Sequence, residues 1–159
     1  IATIQGALDA PDNAQRMQGF YAALAQHGIE VKSAHRMDGG FTFASGHAAA
    51  TRLLKRKDRS FTAVFCANDV MAMAAISRFT QAGLKVPQDV PVIGYDDTDV
   101  ATYTAPPLTT VHIPIAELGA QSCRHVLNLC YGLELAVQRD FAPLVVWRES
   151  VGPGPHFVK

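Results

Sequence analysis

The fold is decided by residues 61–83, which read FTAVFCANDVMAMAAISRFTQAG. The first six residues form an apolar run of strand length, and an apolar helical pattern follows them. Asn68 stands where a helix N-cap is favoured, and Gly83 and Pro87 stand where a helix ends. This stretch therefore predicts a buried strand, residues 61–66, joined directly to a helix that ends near Gly83.

Short apolar runs alternate with helical patterns on both sides of this unit. The runs at residues 1–5 and 90–95 predict strands, and the patterns at residues 12–27 and 41–57 predict helices. Because parallel strands need crossover helices, the alternation predicts an α/β fold, a parallel-sheet lobe with helices on both faces.

The pattern changes after Tyr103. Pro106 and Pro107 break any helix, after which residues 108–113 suit an extended segment and residues 115–129 suit a helix. Residues 141–147 predict a last strand, and the tail from Gly152 is expected to fray.

Composition indicates a soluble protein that does not touch a membrane, because 48% of the residues are apolar but no run approaches the ~18 residues of a membrane span. The three cysteines include Cys123 and Cys130, which are seven residues apart in one helical pattern. That spacing is about 10.5 Å of helix rise, beyond the ~7 Å limit for a disulfide. An odd count without a CxxC pair is typical of reduced thiols and predicts a cytoplasmic location.

The charges argue against DNA binding by this chain alone. Lys and Arg number 14 and so do Asp and Glu, so there is no net positive charge to attract DNA. One basic cluster exists, comprising Arg52, Lys55, Arg56, Lys57 and Arg59. It lies at a predicted helix end, where cations are favoured for a local reason.

Polar side chains follow three of the predicted strands, where open parallel sheets bind their ligands. They are Asp9, Asp12 and Arg16 after the first strand, Asn68 and Asp69 after the strand at 61–66, and Asp96, Asp97, Thr98 and Asp99 after the strand at 90–95. Guanidinium, amide and carboxylate groups suit a polyhydroxylated or heterocyclic ligand. Phe41 or Phe43 could stack on a ring of that ligand.

Structural roles are open for the same residues. Asn68 could be only an N-cap, Asp96 and Asp97 only turn residues, and Arg16 only an i, i+4 partner of Asp12. The six histidines show no metal-ligand spacing, so we expect neither a metal nor a cofactor.

Enzyme chemistry finds little support in the motifs. The chain lacks GxGxxG, GxxxxGK[ST] and GxSxG. Asp97-Thr98-Asp99 faintly resembles the DxD of metal-dependent phosphohydrolases, but Asp96 takes the position directly at the strand end. Cys66 has no base beside it, and its place in a strand favours burial over nucleophilic chemistry. We therefore expect no catalysis.

Four blocks together resemble the ligand-binding domain of LacI/GalR-family bacterial transcription regulators. They are CANDVMAMAAI from Cys66, GLKVPQDV from Gly83, VIGYDD from Val92 and YTAPPLTTV from Tyr103. The likeness runs from Ile1 to about Val151. It implies a fold like that of periplasmic binding proteins of type I, incomplete here, and a repressor that binds a small-molecule effector such as a sugar and dimerises through this lobe.

The resemblance also implies an organisation of the chain. Residues 1–112 would be the C-terminal lobe of the effector-binding domain, residues 113–140 a remnant of its N-terminal lobe, residues 141–152 a return strand and residues 153–159 a tail. The helix-turn-helix domain that reads operator DNA would be absent from this chain. A transport-type sugar receptor of the same fold is the alternative, and a metal-dependent phosphohydrolase is a more remote one.

The family's effector contacts carry over to Arg16, Asn68, Asp96 and the aromatic Phe41 as the resemblance implies. Asp12 stands where family members carry a small hydroxyl residue, and Ala10 where several carry a polar or basic contact. These two departures leave the identity of the effector open.

Dimerisation is predicted through the helix after Asn68, using Met71 and Met73 or their neighbours. The pattern of that helix is apolar on more sides than one sheet face can cover.

Overall fold

The elements of the chain alternate as the sequence predicts over most of its length. A computed structural model describes residues 1–57 and 60–152, so Arg59 of the basic cluster and the tail at 153–159 lie outside the described residues. The strands are β1 (Ala2–Gln5), β2 (Arg36–Asp38), β3 (Val64–Cys66), β4 (Val92–Ile93), β5 (Thr110–His112) and β6 (Leu144–Val146). The helices are α1 (Pro11–Gln26), α2 (Phe43–Lys55), α3 (Asp69–Gln81) and α4 (Ile115–Tyr131).

Four strands form a parallel sheet in the order β2-β1-β3-β4. Thr3 of β1 is level with Arg36 of β2 on one side and with Phe65 of β3 on the other. Two parallel bridges, Ile93 to Thr109 and Asp96 to His112, join β5 to the end of β4, and β5 then pairs antiparallel with β6. The predicted parallel sheet is confirmed.

Helices cover both faces of this sheet, as predicted. On one face α1 packs its aromatic rings, so that Phe20 stacks on Phe65 with ring centroids 4.4 Å apart and the Tyr21 hydroxyl lies 3.4 Å from Thr3 Oγ1. On the other face α2 and α3 lie side by side, and the side chains of Met71 and Ile4 both lie against Gly39. Successive residues of β1 point to opposite faces, which explains why both Thr3 and Ile4 are fully buried.

Helices α2 and α3 come into backbone contact at Gly46. A Cβ atom at this position would lie 2.7 Å from Met71 Cα and 2.8 Å from its carbonyl oxygen. Helix α2 therefore covers part of the α3 surface that the sheet leaves open, including the side at Met71. This corrects the argument for dimerisation, because Met71 is completely buried in the core while Met73 is only partly buried.

Strand β2 was not predicted, and the predicted strands and the helix predicted at residues 41–57 are shorter in the structure, whereas α4 extends two residues beyond its predicted end. The sequence of β2, Arg-Met-Asp, has a single apolar residue between two charges, as suits an edge strand with charged flanks. Helix α2 begins at Phe43 because Thr42 and Ser45 form a capping box that ends the preceding loop. The predicted strands at 90–95 and 141–147 are reduced to β4 and β6.

Residues 113–146 extend from the sheet as an arm made of α4, a following loop and β6. The arm exposes many large apolar side chains, among them Ile115, Val126, Leu129, Tyr131 and Leu144. None of the helices that the structure describes is long and apolar enough to cross a membrane.

Candidate functional site

Three side chains from separate segments meet at the carboxyl edge of the parallel sheet. Arg16 reaches over from α1 and donates through Nη1 to the carbonyl of Ala67, the residue that follows β3. The Arg16 guanidinium stacks on the Tyr95 ring, 3.9 Å from its centroid, and interacts electrostatically with Asp96. Asn68 adjoins Ala67. The structure thus brings together Arg16, Asn68 and Asp96, as the strand-end argument predicts.

Arg16 is held on several sides. Its side chain is only 11% exposed, and Nη2 lies 3.6 Å from Asp12 Oδ2, so the i, i+4 pairing is also present. The guanidinium carbon lies 5.8 Å from the centroid of the Phe41 ring. A planar cation between two aromatic faces is oriented as well as charged.

Asn68 is an N-cap, so its structural role is confirmed. Its Oδ1 accepts from the backbone N–H of Met71 at 2.9 Å, which satisfies a free donor of the first turn of α3. Its Nδ2 donates to the Phe41 carbonyl at 3.1 Å. Asn68 therefore fixes the loop that carries Phe41 to the start of α3.

The Phe41 ring lies directly on Gly6. A Cβ atom on Gly6 would come within 2.0 to 2.5 Å of three atoms of that ring. The N–H of Gly6 donates to Asn13 Oδ1 at 2.7 Å, and Asn13 is buried. Gly6 and Asn13 thus position Phe41, and sequence reasoning missed both. A glycine directly after the first strand was the available signal.

Backbone strain is concentrated at this edge of the sheet. The non-glycine residues with positive φ in the described chain are Phe41 at 59°, Asp96 at 116° and Asp97 at 57°. Residues other than glycine rarely adopt a positive φ. Those that do are often found at functional sites, where the surrounding structure holds them in place. Asp96 is held by its N–H, which donates to the Val111 carbonyl at 2.9 Å.

The Asp96 carboxyl is unusually easy to protonate. Burial raises the pKa of Asp96 to about 6; the nearby charge of Arg16 lowers it, while those of Asp69 and Asp12 raise it. The carboxylate is therefore the more basic of the two adjacent aspartates.

Asp69 is a buried anchor behind the site. Its Oδ2 accepts from the N–H and the hydroxyl of Thr98, at 2.8 and 3.1 Å, and its Oδ1 accepts from the Thr110 hydroxyl. The backbone N–H of Asp69 donates to the Tyr95 carbonyl at 2.8 Å. These bonds tie the start of α3 to the loop after β4 and to β5, which places Asp96 opposite Arg16.

Asp97 binds residues next to the two ends of the arm and not Arg16. Its Oδ1 accepts from Arg148 Nη2 at 2.6 Å and its Oδ2 lies 3.0 Å from His112 Nδ1. Burial opposes ionisation, but the hydrogen bonds and charges of Arg148 and His112 prevail, and the pKa of Asp97 is lowered. Both oxygens are thus engaged, and Asp99 is exposed on the following turn, so the two do not form a paired carboxylate site.

Cys66 and the metal-ligand residue types add no chemistry. Cys66 is fully buried, and burial, with a smaller effect from Asp69, strongly raises the pKa of its thiol. A thiol held in its neutral form is a poor nucleophile. Within residues 1–57 and 60–152 no group of three His, Cys, Asp or Glu side chains is arranged to hold a metal ion.

A cleft of about 210 Å³ adjoins the site on the side of the arm. It is lined by Tyr95, Ile113, Pro114, Leu118, Arg139, Phe141 and Pro143. Tyr95 therefore separates Arg16 from a gap between the sheet and the arm.

Comparison with known proteins defines the class. Residues 1–151 match the periplasmic binding protein-like domain, so the chain belongs to that family. A curated relative, the HTH-type transcriptional repressor PurR of Photobacterium profundum, is 46% identical over 119 residues. That alignment covers 75% of this chain and 35% of the relative, and the curated relatives are matched over less than half of their length.

Similar solved structures are LacI-family transcriptional regulators. A LacI-family transcriptional regulator from Burkholderia phymatum superposes with a TM-score of 0.89 at 45% identity, covering 96% of this chain and 55% of that one. A sugar-binding LacI-family regulator from Escherichia coli, complexed with phosphate, has a TM-score of 0.87 at 33% identity, covering 95% and 54%. The resemblance to the C-terminal portion of a LacI/GalR-family effector-binding domain is confirmed.

Proposed function

We propose that the chain is the effector-binding and dimerising portion of a LacI/GalR-type DNA-binding transcription regulator, a repressor whose effector is a sugar or sugar derivative. The observation that carries the proposal is the convergence of Asp96 with Arg16, whose guanidinium lies against two aromatic rings, at an edge where the backbone is strained. The role is binding without catalysis, because both oxygens of Asp97 and the Cys66 thiol are engaged or buried.

The proposed organisation follows the lobes. Residues 1–112 form the C-terminal lobe, residues 113–140 belong to the N-terminal lobe, and residues 141–152 return to the C-terminal lobe. The exposed apolar face of α4 supports this, because such a face needs a partner layer, and the rest of the N-terminal lobe is the one we propose. Operator DNA would bind through a separate helix-turn-helix domain, in the cytoplasm.

Effector binding would act through the relative orientation of the lobes. Arg16 and Asp96 lie on the C-terminal lobe, and Tyr95 borders the cleft beside the arm. An effector that bridges both lobes stabilises one orientation, and the difference in its affinity for the two orientations is the coupling energy to DNA binding.

The dimer is proposed on the remaining open stripe of α3. Met73, Ser77 and Thr80 lie on one side of a groove whose other side includes Thr104 and Ala105. Tyr103 beside it is exposed. This stripe replaces Met71 in the predicted interface.

The first test is a thermal-shift screen of the full-length protein against sugars, sugar acids and purines, followed by an operator-binding assay with each hit. A specific ligand raises the melting temperature by mass action. A regulator gains or loses operator affinity with the hit, whereas a transport-type receptor binds its sugar and has no operator. Screening without any hit would contradict effector binding.

The site itself is tested with a matched pair of glycine variants. Gly6→Ala forces the Phe41 ring to move, and we expect about a tenfold loss of affinity for the hit, since a misplaced pocket side chain costs on the order of 1.4 kcal/mol. Gly40→Ala is the control, because its Cβ would meet Ser45 only at 3.8 Å. Equal affinities of the two variants in calorimetry would place the site elsewhere.

A further inference from the structure

The groups around Arg16 are all electron-rich. Its guanidinium donates to the Ala67 carbonyl, lies 3.6 Å from the Asp12 carboxylate and faces the rings of Tyr95 and Phe41. Ring faces carry partial negative charge, so each of these neighbours stabilises the cation. Arg16 therefore presents little uncompensated positive charge to a ligand.

Anions outnumber cations among the charges that act on the Asp96 carboxylate. Within the described residues these charges are the cation Arg16 and the anions Asp69 and Asp12. Arg139 lines the cleft on the other side of Tyr95. Asp69 is buried and its oxygens are occupied by Thr98 and Thr110. Asp12 differs, because its side chain is 63% exposed and its free acceptor capacity faces the solvent beside Arg16.

We infer that Asp12 is a specificity-determining residue that selects uncharged or cationic effectors rich in hydrogen-bond donors, such as polyols or amino sugars, and excludes anionic ones. This inference rests on the proposed effector site and adds the charge class of its ligand. An anion placed on Arg16 would lie beside Asp12 and Asp96, and like charges a few ångströms apart repel, more strongly where water is excluded. A hydroxyl or ammonium group instead donates to the carboxylates of Asp12 and Asp96.

Residue 12 stands in the first turn of α1, where a side chain can be exchanged without disturbing the core. The turn begins with Pro11, and the buried residues of α1 are Asn13 and Met17. Asp12→Asn keeps the shape of the side chain and removes only its charge. The helix dipole favours an acid here only weakly, so this substitution leaves the protein folded.

The experiment uses inorganic phosphate as the probe, so it does not depend on knowing the effector. The full-length protein is titrated with phosphate at constant ionic strength, and calorimetry measures affinity for wild type, Asp12→Asn, Asp12→Asn/Arg16→Met and Glu30→Gln. Glu30 is the charge control, because it lies in the loop after α1, at the far end of a 16-residue helix. We expect phosphate to bind Asp12→Asn at least tenfold more tightly than wild type or Glu30→Gln, and the double variant to lose that gain.

Two results would overturn the inference. One is equal phosphate affinity in wild type and Asp12→Asn, whether both bind or neither does. The other is a gain that persists in the double variant, because the anion would then not be on Arg16. Neither result bears on whether an effector binds at all, which the ligand screen and the Gly6→Ala variant decide separately. An anionic effector with full affinity for wild type in that screen would also contradict the selection.

Discussion

Helices α3 and α4 are both rich in apolar residues, yet α3 is largely buried and α4 is largely exposed. Seven of the 13 residues of α3 are buried, whereas Gln121 is the one buried residue among the 17 of α4. Helix α3 packs on the sheet beside α2, with Gly46 allowing the two helices to touch. Helix α4 exposes Val126, Leu129 and Tyr131.

The difference shows that the apolar pattern determines which face of a helix can be buried, while the tertiary structure determines whether another element packs against that face. In the lobe formed by residues 1–112, helices of the lobe itself cover both faces of the sheet. The arm at residues 113–146 joins the lobe through the pairing of β6 with β5, and the segment that follows the arm is held by Arg148 with Asp97 and by Ser150 with Val92 and Thr109. Stability should therefore be concentrated in the lobe.

The largest expected effect comes from the same substitution made in each region. Leu53→Ala removes a fully buried core side chain and should lower the free energy of unfolding by about 2–5 kcal/mol. Leu129→Ala removes one that is 72% exposed and should change it by less than about 0.5 kcal/mol in the 159-residue chain. Urea denaturation measures both. If Leu129→Ala lowers the free energy of unfolding of the full-length protein by several kcal/mol, another part of that protein packs against the arm at Leu129.

A pair of glycines gives smaller effects of opposite sign. Gly46→Ala should lower the free energy of unfolding by about 1–3 kcal/mol, because the new methyl group meets the backbone of Met71. Gly119→Ala in α4 meets nothing within 4 Å and should raise it by up to about 1 kcal/mol through helix propensity. Thermal melts of the two variants would contradict the comparison if both shifts had the same sign.

The pH dependence separates two adjacent aspartates where the lobe meets the arm. The pKa of Asp96 is raised to about 6, so its contribution to folding is present below its unfolded pKa of ~3.9 and is lost as the pH rises through 6. The pKa of Asp97 is lowered, so its contribution is present above ~3.9 and is lost as the pH falls through its folded value.

We therefore expect Asp96→Asn to raise the melting temperature at pH 7.5 relative to wild type and Asp97→Asn to lower it. As the pH falls below ~3.9 towards the folded pKa of Asp97, the difference between Asp97→Asn and wild type should shrink, because the wild-type carboxyl becomes progressively protonated. Melting curves across pH 3 to 8 check both signs. Identical pH profiles for the two variants would mean that the environments of Asp96 and Asp97 do not differ as described.

Much of the fold and part of the site could be predicted from local sequence. Residues 61–83 combine an apolar run, an N-cap and a glycine stop, and these signals depend on neighbours along the chain. Asp96 and Arg16 were predicted because strand ends converge in parallel sheets. The position of Gly6 after a strand was a local signal, but the roles of Gly6, Asn13 and Tyr95 could not be predicted. Those roles depend on Phe41 and Arg16, which approach them from distant positions in the sequence.

The sequence by itself determined the alternation of strands and helices, the parallel sheet and the family, because periodicity, capping and the four blocks in their order are local properties. Only the tertiary structure decided that Met71 is a core residue, that Asp97 binds Arg148 and His112 while Asp96 faces Arg16, and that α4 has no cover among the described residues. The physical reason is that burial and charge pairing are set by contacts between residues tens of positions apart. Met71 is fully buried while Met73, two residues away, is only partly buried. The adjacent residues Asp96 and Asp97 have pKa shifts of opposite sign because they have different neighbours.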